Sequence, residues 1–389
     1  MASWISMDEA CRLLGVRPQT VYAYVSRGKL EVMPDPADTR RSLYRAEDVA
    51  GLAKRKQAGR KHETLAANTL FGSEPSIPTA LCAFFRGRPY YRGQDAVSLA
   101  GSAELEEVAQ LLWAAEQPVD FSSPAPAAPT ASVKPGRVAA FTALAGLAAV
   151  GHSTRGRLTR LLHSEAQGLV GQMANAFGAR PGRKPMHLRF AQGWKQSAQG
   201  ADLLRTAMVL LADHELTSSA FVARIAASTG ASLPACLLAG LTTLSGPLHG
   251  DASGRVQALF GEVERLGEDH VLAHYLSNGL PLAGFGHHLY PDGDPRAAAL
   301  LALFEPPGVI ARFIEKVEAL TGLQPNIDVA LAALVAHCRL PADAAFGLFA
   351  TARSVGLMAH SLEQLGVAQV IRPRGRYVGA MPATPQPQA

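Results

Sequence analysis

The chain has 389 residues and is 48% hydrophobic but only 6% aromatic, so its core rests on Ala, Leu and Val and its length calls for two or three domains. That composition favours close-packed helices over strands, which draw on β-branched and aromatic side chains. The net charge of +5 is confined to one end: residues 1–61 carry 12 basic and 7 acidic side chains and the remainder 25 of each, which excludes a uniformly basic protein.

The first elements are short. Ser6 precedes "MDE", with Glu9 three residues on, as in a capping box, and "MDEACRLLG" runs to a glycine stop. Pro18 suits the first turn of a second helix, "PQTVYAYVSRG". A three-residue break between two such helices is helix-turn-helix spacing. "KLEVMPDPADTRRSLYR" then fits a two-stranded wing and "AEDVAGLAKRKQAGRK" a third helix with a basic end. In "ACRLLGVRPQTVYAYVSRGKL" the stretch resembles the excisionase and MerR-like modules. The resemblance implies DNA as a partner, with Gln19, Thr20 and Tyr24 facing the major groove and Arg40, Arg41 and Arg45 meeting phosphates. The competing reading is a docking or oligomerisation module with a solvated basic face.

Residues 62–116 read as short helical runs and turns, with Leu105, Val108, Leu111 and Leu112 at helical spacing. The Pro/Ala/Ser-rich stretch 117–136 reads as an exposed loop. Beyond it helices dominate: "LLRTAMVLLADHE" sets Leu203, Leu204, Ala207, Met208 and Leu211 on one face, and "ARFIEKVEALTG" does the same with Phe313, Ile314, Val317 and Leu320. The tail "MPATPQPQA" is expected to be disordered. Cys11, Cys82, Cys236 and Cys338 form no CxxC pair, which argues against a zinc site or a disulfide framework and for a reducing compartment. With no signal-peptide core and no run of roughly 18 apolar residues, a cytoplasmic protein without a membrane span is expected.

Four places interrupt the apolar helices with chemically capable groups: "ADHE" at 212–215, "SGPLHGDASG" at 245–254, "GFGHHLYPDGDPRA" at 284–297 and "PNID" at 325–328. Each has an ordinary explanation on its own. His214 and Glu215 could cap a helix, His249 could be a satisfied core histidine, Asp328 could cap the helix after it, and "DPRA" is an acceptable helix start. Taken together and in order, with "LFATARSVGLMAHSLEQ" and "IRPRGRYVG", they resemble the citrate synthase family over about residues 65–380.

That resemblance implies a condensation of acetyl-CoA with oxaloacetate followed by hydrolysis of the citryl thioester. It assigns Asp328 as the base that removes a thioester α-proton, His249 as donor to the thioester oxygen and His287 as donor to the ketone oxygen. His214, Arg296, Arg353 and Arg372 match the oxaloacetate contacts; guanidinium groups suit its two carboxylates. In the family the last arginine comes from a partner subunit, so a homodimer is implied. CoA enters as part of a substrate, and no metal or redox cofactor is needed. His288 stands where many relatives carry arginine, and its simplest placement is toward solvent.

Two departures stand out. "HGDASG" replaces the family's common "HGGANE", so Asp251 brings a negative charge beside a site for anions, and "DVAL" after the base is apolar, which would raise the Asp328 pKa by desolvation. The expected architecture is all-α: a citrate synthase fold with large and small helical lobes, preceded by a small winged helix-turn-helix-like domain. The expected boundaries are 1–61 for the basic module, 62–252 for the first part of the large lobe, 253–363 for the small lobe, and 364–389 for the return to the large lobe and the tail. Two alternatives accompany this reading. One is 2-methylcitrate synthase using propionyl-CoA, since one methylene shifts discrimination by only about 1–3 kcal/mol. The other is a non-catalytic oxaloacetate- or CoA-sensing DNA-binding regulator.

Overall fold

The computed structural model describes residues 3–16, 18–26, 29–36, 38–53, 77–122, 134–367, 369–373 and 379. The protein divides into two compact units, an N-terminal one and one spanning Pro78–Pro373.

The N-terminal unit begins with β1 (Trp4–Ile5), α1 (Met7–Leu14) and α2 (Pro18–Ser26). The Ser6 hydroxyl accepts the Glu9 N–H at 3.3 Å, and Gly15, at φ 60°, closes α1. After β2 (Val32–Asp35) and β3 (Asp38–Arg45), helix α3 covers 46–53 of the described residues; the expected basic end at 54–61 lies outside them. The wing has one strand more than expected. β2 pairs with one edge of β3, and β1 takes the other, with Trp4 opposite Arg45 and Ile5 opposite Tyr44. Ala10, Leu14, Val21, Leu30, Tyr44 and Val49 form this unit's own core.

The second unit opens with a sheet that the helical reading missed: β4 (Cys82–Phe85), β5 (Arg88–Tyr91) and β6 (Gln94–Asp95), an antiparallel meander. Both of its turns are Arg-Gly pairs at positive φ, Arg86 and Gly87 at 50° and 71°, Arg92 and Gly93 at 45° and 82°. Such mirror-image turns match the twist of the strands they join.

The rest is helical. The first group comprises α4 (Ala96–Leu99), α5 (Leu105–Trp113), α6 (Arg137–Val150), α7 (Thr159–Ala176), α8 (Met186–Gly193) and α9 (Ala198–Leu211). Next come α10 (Ser218–Ser228), α11 (Leu233–Leu244), α12 (Ala252–Leu266) and α13 (Glu268–Ser277). The series closes with α14 (Pro295–Leu301), α15 (Gly308–Thr321), α16 (Ile327–Cys338) and α17 (Ala344–Leu365). Among the described residues no helix is long and apolar enough to cross a membrane. Parts of the expected loop (123–133) and the terminal tail (381–389) lie outside the described residues.

Helix α17 is the centre of this unit. Residues 344–361 are all buried, and α5, α7, α9, α10, α11, α12 and α16 pack around it. In α9 every residue from Leu203 to Leu211 is buried, so the stripe seen in the sequence is part of a helix covered on all sides. Tyr91 ties the small sheet to the end of α9. Its buried hydroxyl lies 3.1 Å from the carbonyl of Val209, 3.2 Å from that of Leu210 and 3.1 Å from that of Asp213, and it accepts the Asp213 N–H at 3.3 Å. Tyr91→Phe would leave these groups short of a partner and is expected to lower the unfolding free energy by about 1–3 kcal/mol. A denaturation midpoint unchanged from the wild type would contradict this.

Candidate active site

Five segments distant in sequence meet at one place. His214 follows the C-terminal end of α9, His249 sits in the turn between α11 and α12, and His287 and His288 lie in the loop between α13 and α14. Arg296 stands in the first turn of α14, Asp328 in that of α16, and Arg353 midway along α17. The approach of α9 to α17 requires Gly356. Its N–H donates to the Ala212 carbonyl at 3.1 Å, and a Cβ would stand 2.5 Å from that oxygen. Arg353 Nε donates to the neighbouring Leu211 carbonyl at 3.0 Å, so the chain end that carries His214 is docked beside the arginine. On the other side, Gly284 at φ 84° lets the histidine loop pass between Val256 of α12 and Val329 of α16, whose methyls would meet a Cβ at 2.6 and 2.7 Å.

The histidines are individually held. His214 Nε2 lies 2.9 Å from the Tyr290 hydroxyl, with the Phe84 ring edge-on at 4.9 Å and the His287 ring at 5.6 Å. His287 Nδ1 accepts the Leu289 N–H at 3.1 Å, so the neutral ring carries its proton on Nε2 and can donate from there. His249 Nε2 is 2.8 Å from the Ser219 hydroxyl; when that hydroxyl donates, the ring proton stands on Nδ1. His288 is exposed and lies flat on His287, centroids 4.8 Å apart and 12° between planes.

Asp328 does not cap its helix; Asn326 does, its Oδ1 accepting the Asp328 N–H at 2.9 Å. That leaves the Asp328 carboxylate free for other work. Its Oδ1 is sealed from solvent without a hydrogen-bond partner among the described residues. Arg296 is buried and gripped by Asp294, Nε to Oδ1 at 3.0 Å and Nη2 to Oδ2 at 2.8 Å. Arg353, also buried, lies 5.0 Å from the Phe349 ring centroid, and its Nη atoms have no protein partner among the described residues.

Burial pushes the His249 pKa down to about 4, helped by Arg353, and that of His287 to about 4, helped by Arg296. His214 is driven well below the ordinary value by burial and then by Arg296 and Arg353. All three rings are therefore neutral donors or acceptors near pH 7. Burial moves Asp328 the other way, up to about 7, although Arg296, Arg353 and the Ser253 backbone N–H pull it down. Burial opposes the charge on Arg296, but the Asp294 carboxylate outweighs it and raises that pKa. The result is a carboxyl poised to gain or lose a proton near neutrality, beside neutral N–H donors and two buried guanidinium groups.

Of the expected site residues, His214, His249, His287, Arg296, Asp328 and Arg353 come together, whereas Arg372 is exposed and has no partner among the described residues. Asp251, the charge that looked out of place, is paired with Arg137 at 2.6 Å. Ser219, Tyr290 and Asp294 belong to the site and were missed. Tyr290 and Asp294 sit inside the quoted histidine loop; the only trace of Ser219 is its place two residues after Thr217 at the start of α10. Among the described residues no group of His, Cys, Asp and Glu side chains could hold a metal ion.

In the N-terminal unit, Gln19, Thr20 and Tyr24 lie on α2 and Arg40, Arg41 and Arg45 on β3. Tyr24 is half-buried against the unit's core, while Tyr22 on the same helix is 60% exposed. Arg41 pairs with Asp38 at 3.4 Å; Arg45 pairs with Glu31 at 3.0 Å and Glu47 at 3.3 Å.

The helices thus enclose a polar cluster in which buried arginines stand beside neutral histidines. Residues 143–374, more than half of the chain, match the family model described as "Citrate synthase, C-terminal domain", and the chain belongs to that family. Residues 4–57 match a helix-turn-helix domain model. The chain is similar to "Putative citrate synthase 2" of Mycobacterium tuberculosis, 36% identical over 46% of this chain and 51% of that one. A citrate synthase of Haloferax volcanii is 36% identical over 46% of this chain and 50% of that one. The 2-methylcitrate synthase of Shewanella oneidensis is 30% identical over 50% and 55%. The chain thus spans about half the length of the curated relatives it matches. Among solved structures, the citrate synthase of Thermotoga maritima superposes with a TM-score of 0.67 at 25% identity, covering 80% of this chain and 96% of that one.

The raised pKa of Asp328 has a consequence for stability. Between the unfolded value of about 3.9 and the folded value of about 7, the native state holds a proton that the unfolded state has lost. This contribution therefore weakens folding progressively as pH rises through that window and is constant above it. Asp328→Asn is expected to gain stability relative to the wild type on going from pH 5 to pH 8, by at most about 1.4 kcal/mol per pH unit. A difference between the two proteins that does not change over this range would refute the assignment.

Proposed function

We propose that this protein condenses an acyl-CoA thioester with oxaloacetate and hydrolyses the product thioester, releasing CoA. The observation that carries the proposal is Asp328, a carboxyl with one oxygen sealed from solvent and its pKa brought to about 7, in a cluster with two neutral histidines and two buried arginines. A thioester methyl is a very weak carbon acid. Its proton is removed at a useful rate only when a desolvated base and a donor to the forming enolate act together. Asp328 takes the α-proton while His249 donates to the thioester oxygen. The enol carbon then bonds to the ketone carbon of oxaloacetate, and His287 delivers its Nε2 proton to the ketone oxygen, which becomes the product hydroxyl. Water finally cleaves the C–S bond, and CoA leaves as the thiol.

Arg296, Arg353 and His214 hold the oxaloacetate carboxylates, with Arg372 reaching in from a second subunit. Support for a homodimer comes from α6, an apolar helix with only Ala140 and Leu144 buried, whose Val138, Thr142, Ala145 and Ala149 lie exposed at helical spacing. The lobes are taken as 62–252 with the residues from 364 on, and 253–363, closing on the substrates to exclude water. The proton transfers and carboxylate contacts call for no metal or redox cofactor. Acetyl-CoA is the preferred acyl donor, with propionyl-CoA, the substrate class of a 2-methylcitrate synthase, as the alternative.

The test is CoA thiol release with oxaloacetate and either acyl-CoA. Turnover should rise with pH through about 7 as Asp328 ionises. Asp328→Asn should lower kcat by about 10²–10⁴-fold and leave oxaloacetate binding in place. A folded protein that binds oxaloacetate but releases no thiol would instead be a ligand sensor.

A second activity is favoured by the match of residues 4–57 to a helix-turn-helix domain and by the exposed Tyr22 on α2. The N-terminal unit would bind duplex DNA, with Thr20 and Tyr22 on α2 among its contacts; the side chains of Gln19 and Arg40 lie outside the described residues. Affinity should then fall steeply as salt rises and vanish on deletion of residues 1–61. Equal indifference of the full-length and shortened proteins to DNA at low salt would leave the unit with a docking role.

A further inference from the structure

Asp251 follows His249 by two residues and is held from outside the turn. Arg137, the first residue of α6, grips it bidentately, Nη1 to Oδ2 at 2.9 Å and Nη2 to Oδ1 at 2.6 Å. The arginine is itself fixed: its guanidinium carbon lies 4.1 Å from the centroid of the Phe346 ring, and its backbone N–H donates to Asp343 Oδ2 at 3.4 Å. Asp251 occupies the N-cap position of α12, yet its side chain caps no amide of that helix. The carboxylate is committed to Arg137 instead. The backbone around it is a tight knot, with the His249 and Asp251 N–H groups both donating to the Gly246 carbonyl, at 2.9 and 3.3 Å, and the Gly250 N–H to the Leu244 carbonyl at 2.9 Å. Two residues beyond Asp251, the Ser253 backbone N–H interacts with the Asp328 carboxylate. A single turn therefore carries His249 and touches Asp328, and the Arg137–Asp251 pair anchors that turn to the starts of α6 and α17.

We infer that Arg137 and Asp251 are positioning residues for proton abstraction, setting the separation between His249 and Asp328 without touching substrate. The inference rests on the condensing reading above. It splits the site in two, because His214, His287 and Arg296 come from segments that the pair does not touch, and Arg353 stands on α17 seven residues beyond Phe346. Loss of the pair then slows enolisation and spares oxaloacetate binding, as a displacement of about 1 Å in a catalytic group costs on the order of 10²-fold in rate.

The experiment uses the full chain with Asp251→Asn, Arg137→Ala, the double variant Asp251→Asn/Arg137→Ala and the charge swap Arg137→Asp/Asp251→Arg. Three quantities are read: kcat for CoA release, exchange of acetyl-CoA methyl protons with solvent deuterium, and the oxaloacetate Kd. Each single variant is expected to lose about 10–100-fold in kcat and in exchange, with Kd within about twofold of the wild type. The double variant should lose no more than either single one, because the two side chains act as one unit, and the swap should recover part of the rate. Unchanged kcat and exchange in the single variants would overturn the inference, as would a rate loss that merely follows weakened oxaloacetate binding or a lower melting midpoint. Asp251→Asn keeps the side-chain shape, so it decides the matter even if Arg137→Ala fails to fold. A wild type that releases no CoA refutes the condensing reading itself, whereas an active wild type with unaffected variants refutes only the positioning role.

Discussion

The Asp294 carboxylate, sealed from solvent, accepts hydrogen bonds from the Arg296 amide and guanidinium and from the Ile327 amide at the start of α16. One side chain thus begins α14, fixes the direction of Arg296 and pins the helix whose next residue is Asp328. A carboxylate so deeply buried is tolerable only with its oxygens occupied, and here a guanidinium and two amides occupy them. Burial alone would raise its pKa, yet Arg296 and these hydrogen bonds bring it below the ordinary carboxylate value. Asp328 and one of the arginines stand where they do because both are tied to the same anion.

The charges around this knot are arranged by difference. Asp294 keeps Arg296 cationic in a place where burial opposes the charge. The positive field of Arg296 and Arg353 then adds to desolvation in keeping His214, His249 and His287 neutral. Asp328 has no arginine of its own, and burial prevails over the more distant attraction of the same two guanidinium groups. Two carboxylates and two arginines thus end in opposite states of readiness: one pair locked, one carboxyl near neutrality and one guanidinium open. His288, flat on His287, adds to the bias, since two protonated rings so stacked would repel.

Much of this was legible beforehand because the signals are local. Ser6, Pro18 and Pro295 mark helix starts, for a hydroxyl that accepts an amide or a ring that fixes φ acts within one turn of chain. The strings around His249, His287 and Asp328 kept their family order and named the groups that meet. Other features escaped for reasons equally physical. The sheet at 82–95 leaves no clear alternation in the sequence because its strands are only two to four residues long, and the two Arg-Gly pairs are its local clue. Leu320 shares a helical face with Phe313 and Val317 but remains 67% exposed. Periodicity gives the direction of a face and says nothing of how far its cover extends.

The sequence by itself determined the helical class and the basic N-terminal unit, which follow from composition and charge, and its ordered strings carried the resemblance to the family and, through it, the candidate side chains. Only the tertiary structure decided which of those groups are charged. Asp251 is an unwelcome anion in the string "HGDASG" and a neutralised anchor once α6 brings Arg137 to it, 114 positions earlier in the chain. Asp328 is an ordinary carboxyl in the string "PNID" and becomes a poised one when α12, α14 and α17 close around it. Desolvation and charge pairing depend on what surrounds a group in space, and that neighbourhood exists only after the chain has folded.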